Sequence, residues 1–79
     1  MSALALVNSI DTALEQYHEA TARYGVVCDH VCTCLAADRM PSAAQLQAVR
    51  DAKAAVAAAR RLYAEERANA LVNIDRPFA

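Results

Sequence analysis

The sequence predicts an all-α protein, an antiparallel hairpin of two long helices. Three observations predict it. Hydrophobic residues make up 57% of the chain, much of that alanine, while glycine occurs only at Gly25 and proline only at Pro41 and Pro77. Such a composition favours helix on intrinsic grounds. Apolar residues recur at spacings of three and four through the whole first half, the pattern of a helix with one buried stripe. The stretch "ADRMPSAAQ", residues 37–45, is the one clear break.

The first helix is expected over about residues 3–37. Val7, Ile10, Leu14, Tyr17, Thr21, Tyr24, Cys28, Val31 and Leu35 form its seam. Gly25 sits beside that seam and costs about 1 kcal/mol relative to alanine in a helix interior. The repeat passes through Gly25 in phase, so one helix is expected; the alternative is a break there, giving three helices in all.

Pro41 stops the first helix, because the residue before a proline avoids helical backbone angles. Residues 38–42 form the turn. Ser42 then reads as an N-cap, with Gln45 completing a capping box and Pro41 and Leu46 placed for a hydrophobic staple. The second helix is expected over about residues 43–72, with a narrower seam of Val49, Ala52, Val56, Ala59, Tyr63 and Ala70. Leu46, Leu62 and Leu71 lie off that line and call for a further neighbour. The tail, residues 73–79, reads as non-helical from about Asp75, since Pro77 cannot continue the backbone ladder.

A chain of 79 residues is a single domain and is marginal as an isolated core. A helix of this length spans about 50 Å, more than one partner helix covers well. The hairpin is therefore expected to dimerise into a four-helix bundle, with the first-helix seam and the Val49 and Val56 line serving the core or the dimer.

The net charge of −1 argues against bulk recognition of polyanions. The opening "MSALALVNSI" lacks the basic segment of a signal peptide, and no uncharged run approaches the about 20 residues of a membrane span. The expectation is a soluble cytoplasmic protein with reduced thiols. Charge is nonetheless segregated: residues 1–38 carry five acids against Arg23, and residues 39–79 carry seven cations against four acids. Acidic and basic helices attract, within a hairpin or between protomers, although exposed pairs contribute only about 0–1 kcal/mol each and set orientation more than stability.

The stretch "VVCDHVCTC", residues 26–34, is the one candidate for chemistry. On a helix, Cys28 and Cys32 lie about 40° apart, while His30 and Cys34 lie on nearly the opposite face. One helix cannot close these four around a tetrahedral zinc ion, and no second ligand pair follows elsewhere in the chain. A metal site needs the helix to unwind after Gly25, or two protomers each to give half. The leading reading is structural: Cys28 a small seam hydrophobe, Cys32 beside it near the core, His30 and Cys34 outward. A metal- or thiol-dependent sensor built on Cys28, His30, Cys32 and Cys34 is the alternative.

No phosphate-cradling glycine loop is present. No catalytic residue, metal ligand or cofactor is assigned, and the chain is expected not to be an enzyme. Lys53, Arg60 and Arg67 recur every seven residues beside the second seam. Their stems can cover the core edge with heads meeting acids of the first helix, or they can anchor another molecule. Arginine and tyrosine are favoured interface anchors, so Lys53, Arg60, Tyr63, Arg67 and Phe78 form the candidate partner-binding set. The functional expectation is protein–protein binding by an adaptor, regulator or inhibitor, a style shared by small proteins of phages and other mobile elements. Nucleic-acid binding through the basic helix is a further alternative, marked by steep salt dependence.

Overall fold

The structure, a computed structural model, describes residues 2–75. Two helices, α1 (Ala3–Ala36) and α2 (Ala43–Asp75), pack against each other as an antiparallel hairpin. α1 runs unbroken through Gly25. α2 continues to Asp75, three residues past the end expected near Val72. The expected non-helical tail beyond it, with Phe78, lies outside the described residues.

Each end has a local cause. Ser2 caps α1, its hydroxyl accepting from the Ala5 N–H at 3.2 Å. At the other end Asp38 adopts φ 57°. Its N–H donates to the Leu35 carbonyl at 3.0 Å, and the Arg39 N–H donates to the Cys34 carbonyl at 2.9 Å. These paired bonds are a Schellman closure, with an aspartate where glycine is usual. The capping box of α2 forms as expected. The Gln45 N–H donates to Ser42 Oγ at 3.1 Å, and the Ser42 N–H donates to Gln45 Oε1 at 2.8 Å. Pro41 is half-buried, while Leu46 stays 38% exposed.

The interface between the helices follows a strict heptad on both. In α1 the inward residues are Leu6, Ile10, Ala13, Tyr17, Ala20, Tyr24, Val27, Val31 and Cys34; in α2 they are Gln45, Val49, Ala52, Val56, Ala59, Tyr63, Glu66, Ala70 and Asn73. Every one of these is buried or half-buried. The α2 seam is the expected one, extended by three polar members. In α1 the row of Ile10, Tyr17, Tyr24 and Val31 is as expected, but its companion row lies one residue earlier. Leu6, Ala13, Ala20, Val27 and Cys34 face α2, whereas Val7, Leu14, Thr21, Cys28 and Leu35 flank the seam. Both rows satisfy the 3,4 spacing, because the apolar stripe of α1 is three rows wide. The hairpin takes the row with the smaller residues. Ala52, Ala59 and Ala70 bring the α2 backbone close, and Ala13 and Ala20 leave room for it.

Among the described residues only Ala13, Ala52 and Ala70 are buried outright, and no large side chain is. The molecule is a rod of 65 × 15 × 15 Å with a radius of gyration of 18.1 Å, against about 12 Å for a compact chain of this length. Its accessible surface is 6104 Å², where a compact monomer of this mass exposes about 4,700 Å². Large apolar side chains remain in water, including Val7 (51% exposed), Leu35 (55%) and Leu71 (61%). Among the described residues no helix is long and apolar enough to cross a membrane.

Candidate functional site: a basic side face

The heptad gives the hairpin two distinct sides. Tyr17 and Tyr63 lie level, ring centroids 6.3 Å apart and tilted at 58°. Cys34 lies level with Gln45. Residue i of α1 is therefore level with about residue 80 − i of α2. On one side, Gln16, Ala20 and Arg23 of α1 border Ala55, Ala59 and Leu62 of α2 in a shallow groove. Arg23 there pairs only with Glu19 of its own helix, at 4.0 Å.

The other side carries the candidate site. The flanking row of α1, Val7, Leu14, Thr21, Cys28 and Leu35, runs along it, with Leu14 and Cys28 half-buried and the others exposed. Opposite run Leu46, Lys53, Arg60 and Arg67 of α2, all exposed. Tyr17, Val56, Ala57 and Ala64 floor a shallow groove between Lys53 and Arg60. Arg67 holds its guanidinium carbon 5.5 Å from the Tyr63 ring centroid, a cation–π contact. Sequence spacing placed Lys53, Arg60 and Arg67 on one strip, and the fold keeps them there. It sets Tyr63 differently. That ring is half-buried in the seam against Tyr17, with Arg67 over it.

The expected attraction between α1 and α2 is not realised as ion pairs. Among the described residues the sole ion pair is Glu19–Arg23, within α1. The heptad explains this. Asp11, Glu15, Glu19 and Asp29 occupy the outer positions of α1 and point away from α2, while Lys53, Arg60 and Arg67 flank the seam. Acids and cations of one chain are thus set apart across the flanking row of α1 and form no ion pair between the helices among the described residues.

The cysteine stretch lies on continuous helix, so its residues diverge. Cys34 is half-buried on the seam, where the Gln45 amide donates to its sulfur at 3.5 Å. Cys28 is half-buried at the edge of the basic face; Cys32 and His30 are exposed. The expected outward Cys34 and core-side Cys32 are thereby exchanged, as the one-residue shift of the seam requires. Cys28 sits against Tyr24. A hydrogen bond to the Cys28 sulfur, which favours the protonated phenol, then the charge of that thiol when ionised, then burial hold the Tyr24 phenol above its ordinary value of 10.0. Among the described residues no group of three or more His, Cys, Asp or Glu side chains is gathered to hold a metal ion.

Comparison with protein-family models, with curated proteins and with solved structures finds no match to this chain.

Proposed function

We propose that the chain works by binding another polypeptide through the Lys53–Arg60–Arg67 side face, as an adaptor, regulator or inhibitor, and not by catalysis. One observation carries this reading: three exposed cations at seven-residue spacing, without an acidic partner among the described residues, beside a half-covered apolar row. Solvating the guanidinium and ammonium heads is favourable, so their position costs the monomer little. The same side chains become strong anchors when a partner brings carboxylates and apolar surface together. The chemistry of the face thus defines its partner, an acidic surface with an apolar centre, of which an amphipathic helix is the simplest form.

The test is affinity capture in the native host with tagged chain, wild type beside R60E/R67E, with circular dichroism on both. The wild type is expected to hold either another protein or untagged copies of the chain, and the variant neither, at unchanged helicity. Equal capture by both, or loss of helicity in the variant, refutes the reading.

A further inference from the structure

The partner chemistry just derived is carried by the chain itself, on α1. At 100° per residue, Val7, Asp11, Leu14, Cys28 and Leu35 face the same side as the cations, and Glu15 and Asp29 line its outer edge. We propose that the occupant of this face is a second copy of the chain, related by a two-fold axis along the rod. α1 of each copy then lies antiparallel on α2 of the other, and both turns sit at the same end. This rests on the binding face proposed above.

Registry supports this arrangement at four places. With the axis along the rod, levels are preserved between copies, so the 80 − i rule also relates α1 to the α2 of the other copy. Arg67 then comes level with about residue 13, between Asp11 and Glu15. Arg50 and Lys53 come level with about residues 30 and 27, on either side of Asp29. Leu46, 38% exposed, comes level with about residue 34, beside Leu35, and Leu71, 61% exposed, with about residue 9, beside Val7. Arginine stems cover apolar surface while their heads reach acids at the edge. The other face-to-face symmetry, with the axis across the rod, sets α2 on α2 and brings Lys53, Arg60 and Arg67 against their own images. Like charges so placed are repelled. The area suffices: a face of 65 × 15 Å projects to about 975 Å², against about 800 Å² per partner in a standard interface. A net charge of −1 per chain opposes association little.

The experiment uses purified full-length chain, multi-angle light scattering and sedimentation, with circular dichroism for helicity. Wild type at tens of micromolar is expected at twice the 8.5 kDa chain mass. R67E, and separately D11R/E15R, should each weaken the dimer by roughly tenfold or more. Mixing these two variants should restore it, because each interface then pairs one charge with its opposite. A wild type of 8.5 kDa overturns the second copy while leaving the binding face to another protein. A tighter R67E dimer overturns the axis along the rod in favour of α2 on α2. Helical variants that fail to re-associate on mixing also overturn it. Should R67E lose helicity, K53E with D29R repeats the exchange at the other end.

Discussion

Cys34 Sγ lies 3.5 Å from Nε2 of Gln45, and the same Gln45 side chain accepts the Ser42 N–H at 2.8 Å. One carboxamide therefore closes the first turn of α2 and touches the last turn of α1. Gln45→Ala removes the reciprocal half of the capping box and opens the seam beside Cys34. A loss of about 1–2 kcal/mol is expected from guanidinium unfolding, read at one fixed protein concentration because self-association adds to stability. A loss below the error of the fit would show that water replaces the carboxamide at no cost.

The turn is held by an aspartate in a backbone region that glycine enters freely. Left-handed φ costs an L-residue roughly 1–2 kcal/mol, less for aspartate, whose side chain bonds locally. Asp38→Gly is expected to stabilise by about 0.5–1 kcal/mol. A destabilised variant would show that the carboxylate supports the turn.

How far the sequence discloses this fold depends on what each signal competes with. The break at Pro41 and the Ser42–Gln45 box are local, need no tertiary information, and appear as read. The Schellman closure at Asp38 carries no glycine and gives no local signal. The α1 seam is ambiguous because Leu14 and Ala13 both satisfy the spacing. Only the small α2 seam decides between them, and that is a property of the pair. The Lys53–Arg60–Arg67 strip is legible as a row. That it shares a side with Val7 and Leu35 depends on the seam phase.

Gly25 lies within α1, exposed, and a methyl group built there meets nothing within 4 Å. Gly25→Ala therefore gains the helix propensity difference without steric cost. The expected gain is about 1 kcal/mol, again by guanidinium unfolding at fixed concentration. A loss would mean that the glycine serves a close approach by another chain.

Thiol accessibility separates the two seam phases directly. With Cys32 exposed and Cys28 and Cys34 half-buried, iodoacetamide in dilute protein should label Cys32 first, followed by mass spectrometry of the peptides. Labelling of Cys34 ahead of Cys32 would return the seam to the row of Val7, Leu14 and Leu35.

Tyr17 and Tyr63 set the level of one helix against the other. Their tilted rings at 6.3 Å lie in the range where aromatic pairs contribute about 0.5–1.5 kcal/mol beyond area burial. The single changes Tyr17→Leu and Tyr63→Leu keep bulk and remove the ring. A double-mutant cycle between them should return a coupling of that size. Arg67 touches Tyr63 from the solvent side, where a cation–π contact contributes about 0.5–1 kcal/mol. Repeating the cycle with Arg67→Ala should leave the Tyr17–Tyr63 coupling intact, since the cation lies on neither shared atom pair. Tyr63→Phe should retain it as well. A coupling near zero in both backgrounds would separate the rings and displace α2 along α1. The nearest slip that keeps both seams inward is one heptad, about 10 Å. It would carry Leu46 away from the level of Leu35 and Arg67 away from that of Asp11 and Glu15, removing the registry on which the two-fold assembly rests.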